Sequence, residues 1–98
     1  MQYDIEPWKN SLKFQAEFLA GRVKNGILDK NKAFESLLCA VQIGWGTNSV
    51  RVSLIADFEK QTFLQFIKDF DVKINWTECE TILLEKRRKD ILDFLKNI

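Results

Sequence analysis

Histidine and cysteine, two residue types that often act in catalysis, are absent or scarce in this sequence of 98 residues. It contains no histidine and only two cysteines, so the commonest general base, the commonest metal ligand and every histidine-activated nucleophile are missing. Cys39 lies in an apolar run, and Cys79 lies between Glu78 and Glu80, whose charges disfavour a thiolate. We therefore expect no metal site, no cofactor and no disulfide.

Paired carboxylates are the remaining candidates for acid–base chemistry. Asp69 and Asp71 are separated by one residue, and so are Glu78 and Glu80. Residues two apart on a helix point to different sides, so neither pair faces a single substrate there. We expect these acids to cap helices or to lie on the solvated surface. The sequence therefore predicts a protein that is not an enzyme.

The segment 44–49, Gly-Trp-Gly-Thr-Asn-Ser, is the most unusual stretch of the chain. Glycines ahead of a helix can present backbone N–H groups to a phosphate. The segment lacks the lysine of a P-loop and the third glycine of a dinucleotide-binding fingerprint. It is interpreted as a turn, in which Trp45 either folds into the core or contacts a partner.

The five residues from Ile43 to Thr47 also resemble a glycine-rich loop of the RNA-binding subunits of CRISPR effector complexes. In that family Asn48 would usually be a glycine. The resemblance implies a ferredoxin-like fold and contact with guide RNA or with a neighbouring subunit.

A basic run extends from Lys86 through Arg87 and Arg88 to Lys89. On a helix these residues spread around the circumference, which is typical of a solvated surface. Arg88 falls on the apolar side and is expected to extend to its edge. The alternative is that Lys86, Arg87, Lys89 and Arg51 contact phosphates of RNA or DNA, although the net charge is only +1.

Aromatic side chains are numerous: eight phenylalanines, three tryptophans and one tyrosine. The following lie on apolar stripes and are expected in the core: Phe14, Phe34, Phe58, Phe66 and Phe94. The segment 63–70 is apolar around most of a helix, which indicates a central position or an interface. We choose the interface, with Trp45, Phe63 and Phe70 as contact residues and homodimerisation as its simplest form.

Helical periodicity predicts a mainly α fold, a compact four-helix single domain over residues 1–98. The four predicted helices run from Pro7 to Asn25-Gly26, from Asp29 or Asn31 to 44–46, from 47–49 to Phe70, and from a capping box at 77–80 to Ile98. The alternative is an α+β fold with a small hairpin at about 41–54 and a short strand at 72–76, because Val50 and Val52 are β-branched.

The N-terminal sequence has no basic region followed by an apolar one, and the apolar runs are too short to span a membrane. We therefore expect a cytoplasmic protein without a membrane partner. The predicted function is binding to another protein or to itself, as an adaptor, an inhibitor or immunity-type protein, or a small subunit of a larger assembly. Binding to nucleic acid is the alternative.

Overall fold

The computed structural model describes the backbone of residues 6–45, 49–83 and 85–98, and the side chains of 6–40, 57–83, 85 and 87–98. In these ranges the chain forms five helices: α1 (Glu6–Lys24), α2 (Lys30–Trp45), α3 (Ser49–Phe70), α4 (Trp76–Ile82) and α5 (Glu85–Lys96). The helices α1, α2 and α3 pack on one another, α4 packs on α2, and α5 packs on α4. The predicted mainly α fold is confirmed.

The turn between α1 and α2 follows the signals in the sequence. Gly26 takes a positive φ of 71°, and the N–H of Ile27 donates to the carbonyl of Arg22 at 2.9 Å. At the start of α2 the Asp29 carboxylate accepts from the N–H groups of Asn31 and Lys32, at 3.0 and 3.2 Å. These bonds satisfy N–H groups that have no partner within the helix.

The hairpin alternative at 41–54 and the strand at 72–76 are wrong. Residues 41–45 lie in α2, residues 49–54 lie in α3, and no strand occurs in the described ranges. The described apolar residues of α3 pack in the core, and a helix of 22 residues with such packing outweighs the strand preference of two valines. The helix ends where Asp71 takes a φ of 51° and the Val72 N–H donates to the Ile67 carbonyl.

The fourth predicted helix is in fact two helices, α4 and α5. Its first turn is capped by Asn75, whose side chain accepts from the Glu78 N–H at 3.1 Å, so the capping box predicted at Thr77 is wrong. Asparagine is a strong N-cap and comes two residues earlier. The helix is interrupted at Leu83, which has extended backbone angles and a buried side chain.

The core lies among all five helices. Its buried apolar residues are Leu12, Leu19, Ala33, Phe34, Leu37, Leu38, Phe63, Phe66, Val72, Cys79, Leu83, Ile91, Leu92 and Leu95. The Phe34 ring lies 6.1 Å from Phe63 and 6.4 Å from Phe66, centroid to centroid. Within the described ranges, no helix combines the length and apolar character needed to cross a membrane.

Candidate functional site

A groove of about 440 Å³ runs between α1 and α3. Its apolar lining consists of Ala16, Ala20, Phe58, Phe66 and Phe70. Its polar lining consists of Lys13, Glu17, Lys24, Gln61, Thr62, Gln65 and Asp69. The groove is therefore apolar in part, and its polar residues carry two positive and two negative charges.

The groove results from the spacing of residues on α1. Its lining positions there are 13, 16, 17, 20 and 24, a spacing of one helical turn between neighbouring positions except for the adjacent pair 16 and 17, and so they share one side of the helix. Leu12 and Leu19 are buried on a different side, in the core. Because Ala16 and Ala20 are small, α1 presents little side-chain bulk between its charged residues.

The α3 wall of the groove is ordered by contacts within the helix. The rings of Phe66 and Phe70 lie 4.9 Å apart, and Phe70 is half-buried. The Gln65 amide donates to the Asp69 carboxylate at 2.7 Å, and the Thr62 hydroxyl donates to the Phe58 carbonyl at 2.8 Å. These contacts fix the positions of Phe70 and Asp69 within the wall.

The α1 wall carries charges of both signs. Glu6 and Lys9, one turn apart, approach to 3.9 Å. Among the described residues, none forms an ion pair with Lys13, Glu17 or Lys24. The charges of these three residues are therefore not neutralised by a described ion pair.

A second exposed feature lies on another side of α1. Phe14 and Phe18 are 65% and 51% exposed, their rings stack at 6.5 Å, and the Arg22 guanidinium lies 5.5 Å from the Phe18 ring. The prediction that Phe14 belongs to the core is wrong, because Leu12 and Leu19 occupy the side of α1 that faces it. Of the other predicted core aromatics, Phe34 and Phe66 are buried, while Phe58 and Phe94 pack against the core.

Two predicted contact residues lie inside the protein. Phe63 is 1% exposed and packs against Phe34, so its ring is not presented to a partner. Arg87 is 4% exposed and donates two hydrogen bonds to the Glu59 carboxylate, at 2.6 and 3.2 Å. Both predictions are therefore wrong: Phe63 belongs to the core, and the Arg87 guanidinium is paired with Glu59 and does not face a phosphate ligand.

The remaining predicted site residues are distributed differently. Phe70 lines the groove, and Lys89 is exposed on α5. Arg88 is half-buried and donates to the Leu83 carbonyl at 3.3 Å. The side chains of Trp45, Arg51 and Lys86 lie outside the described residues. Of the predicted site residues whose side chains the structure describes, only Phe70 therefore lines the groove.

The buried ion pair was missed by the sequence analysis. Glu59 stands four and seven residues before Phe63 and Phe66, on the apolar side of α3, and Arg87 stands four residues before Ile91. The signal in the sequence is an acid on the apolar side of one helix and a base on the apolar side of another, a pattern that predicts a buried ion pair. Burial raises the pKa of the Glu59 carboxyl above its ordinary value, although the hydrogen bonds and charge of Arg87 lower it.

The Cys79 thiol and the carboxylates of Asp69 and Asp71, named as candidate catalytic groups, are buried, hydrogen-bonded or at a helix end. Burial raises the pKa of the Cys79 thiol to about 11, and the charges of Glu35 and Glu78 add to this effect. The Asp69 carboxylate accepts from Gln65, and Asp71 follows the last residue of α3. Among the side chains that the structure describes, no three histidines, cysteines or acids are grouped to hold a metal ion.

The segment that resembles the CRISPR-associated loop is not a loop at its start. Gly44 and Trp45 belong to α2, and 46–48 lie outside the described residues. The ferredoxin-like fold that the resemblance implies is not found, since the described chain contains helices and no strand. Comparison with protein-family models, curated proteins and solved structures finds no match to this chain.

Proposed function

We propose that this chain is a non-catalytic protein-interaction domain that binds a helix of its partner in the groove between α1 and α3. The observation that carries this proposal is the groove itself, which places apolar residues and charges of both signs on two neighbouring helices. Such a domain would serve as an adaptor, an inhibitor or immunity-type protein, or a small subunit of a larger assembly.

The dimensions of the groove suit a helix. Lys13 and Lys24 both line it, and eleven residues of α-helix span about 16 Å. An amphipathic helix binds such a groove through apolar side chains spaced three, four and seven residues apart. Phe58, Phe66 and Phe70 offer aromatic surface to these side chains, and aromatic residues contribute strongly to interface energies.

The charges of the groove weigh against nucleic acid as its ligand. Lys13 and Lys24 are balanced by Glu17 and Asp69, whereas surfaces that bind RNA or DNA carry a clear basic excess. Of the four basic residues considered for phosphate contact, Arg87 is already paired with Glu59. A protein partner with mixed charge is the better match.

Ala20→Arg tests the proposal, because it places a long charged side chain in the groove. Ser11→Arg is the matched control, since Ser11 is exposed and lies half a helical circumference from Ala20. Each tagged chain is expressed in its native cells, and the co-purifying proteins are quantified. We expect a partner, including an untagged copy of this chain, to be lost with Ala20→Arg and retained with Ser11→Arg.

The folded state of both variants is checked by circular dichroism and thermal melting. A partner retained equally by both variants would contradict binding in the groove. No partner for the parent chain, at physiological salt and in the presence of its own untagged copy, would contradict the proposed function as a whole.

A further inference from the structure

We infer that the helix bound in the groove is α1 of a second copy of this chain, lying antiparallel to the first in a two-fold symmetric dimer. The inference rests on the proposed function, since it names the partner of the same groove. Its strongest support is the order of charges along α1.

Five charged residues share the groove side of α1: Glu6, Lys9, Lys13, Glu17 and Lys24. Lys9 contacts Glu6 of its own helix at 3.9 Å and lies beside the groove residue Phe58. The other four are spaced by seven, four and seven residues, close to whole numbers of helical turns. Three of them line the groove. Apart from Lys9, which is paired with Glu6, their charges alternate from the N-terminus: negative, positive, negative, positive.

This order is complementary to its own reverse. Residue 15 is the midpoint between 13 and 17 and also the midpoint between 6 and 24. An antiparallel copy centred there brings Lys13 opposite Glu17 of the second copy, Glu6 opposite Lys24, and Lys9 opposite the uncharged Gly21. The two-fold axis repeats both contacts, which gives four pairs of opposite charge. A parallel copy in the same register would place every charge opposite its like.

The shape of α1 also permits this contact. Ala16 and Ala20 lie among the charged residues of the groove, and small side chains let two helices approach closely. Lys9 lies beside Phe58, and Lys24 lines the groove together with Phe70, so α1 and α3 run in the same direction. The second copy therefore brings the N-terminus of its α1 towards Asp69, where the helix dipole favours an acid.

Charge-reversal variants of the full chain test the dimer by sedimentation. Lys13→Glu and Glu17→Lys each place like charges opposite one another, twice per dimer. We expect each variant to weaken self-association about tenfold or more. An equimolar mixture of the two variants restores opposite charges at both contacts, so the mixture should dimerise as the parent chain does. The double variant Lys13→Glu/Glu17→Lys should also recover dimerisation.

Matched controls separate this interface from general charge effects. Lys89→Glu and Glu80→Lys make the same changes at exposed residues of α5 and α4 and should leave the dimer unchanged. Phe18→Ala tests the exposed aromatic pair on the other side of α1 and should also leave it unchanged. High salt should weaken the parent dimer by screening the four charge pairs.

The inference is overturned if the parent chain is monomeric at about 1 mM, if either single variant dimerises as well as the parent, or if the mixture remains monomeric. These outcomes differ from failure of the proposed function. A monomeric parent chain that still captures another protein, and loses it with Ala20→Arg, would refute the dimer and leave groove binding intact.

Discussion

Removal of Arg87 should destabilise the protein strongly, because it leaves a buried carboxylate without its partner. Glu59 and Arg87 are 1% and 4% exposed, and their two hydrogen bonds join α3 to α5. Breaking a buried ion pair by deleting one member costs about 3–5 kcal/mol. A domain of this size has a free energy of unfolding of about 5–15 kcal/mol, so Arg87→Met should remove a large part of it.

The cost of Arg87→Met should depend on pH in a defined direction. Burial already raises the pKa of Glu59 in the folded chain, and losing the arginine removes the main influences that lower it. The folded state then takes up a proton at a higher pH than the unfolded state, whose carboxyl titrates near 4.5. Stability is therefore gained as the pH falls through the raised pKa towards 4.5, and lost as the pH rises through it.

Urea denaturation followed by circular dichroism, at about pH 7 and about pH 5, measures these effects. Arg87→Met should lose about 3 kcal/mol or more at the higher pH and less at the lower one. The double variant Glu59→Leu/Arg87→Met should recover most of the loss, because no charge remains buried. As a control, Asp90→Asn affects the more exposed ion pair with Lys60 and should cost under about 1 kcal/mol. A loss of under about 1 kcal/mol for Arg87→Met, or a double variant as unstable as the single one, would refute the reasoning.

Three further predictions follow from the same structure. Gly21→Ala should stabilise the protein by about 0.5–1 kcal/mol, because alanine favours a helix more than glycine does and the added Cβ meets nothing within 4 Å. Gly26→Ala should instead destabilise it by about 1–2 kcal/mol, because Gly26 has a φ of +71°. Thermal melting of both variants checks that the two changes in stability have opposite signs. Cys79 should resist thiol reagents in the folded protein while the half-buried Cys39 reacts; mass spectrometry of labelled native protein would contradict this if Cys79 reacted as fast as Cys39. The free energy of unfolding should also fall as the pH rises from 9.0 to about 11, because the Cys79 thiol ionises at a lower pH in the unfolded chain than in the folded one. Asn75→Ala should lower the free energy of unfolding by about 1 kcal/mol, because it removes the cap of α4. If Thr77→Ala lowers it as much or more in denaturant titrations, Thr77 and not Asn75 is the cap.

Local signals in the sequence were sufficient to predict most helices and several of their ends. The apolar spacing of α1 and the Asn25-Gly26 stop predicted its extent, and Asp29 was recognised as a cap. The end at Phe70 was also predicted. These features depend on neighbouring residues along the chain, so they can be read without knowing the tertiary contacts.

Features that depend on contacts between distant residues were not predicted. Phe14 lies on a helix whose apolar residues exceed one stripe, and only packing decides which of them are buried. Phe63 was assigned to an interface because the segment 63–70 is apolar on several sides, yet its ring packs against Phe34 of α2. The pairing of Glu59 with Arg87 spans 28 positions and requires α5 to lie against α3.

The candidate site was only partly predicted. Their spacing places Ala16, Ala20 and three charged residues on one side of α1, but the groove exists because α3 lies beside that side. Phe70, a contact residue predicted from the sequence, lines the groove, whereas the α1 residues that line it were not predicted. A sequence can specify the faces of a helix, whereas the open space between two helices is a property of their packing.

Cross-linking of a mixture of isotopically light and heavy copies tests the central claim, that the groove binds α1 of a second copy, most directly. A carbodiimide joins a lysine to a carboxylate in contact, and mass spectrometry of the digested dimer distinguishes links within one copy from links between copies. The account predicts links between light and heavy copies that join Lys13 to Glu17 and Glu6 to Lys24. Links between copies at other positions, with these two absent, would contradict it.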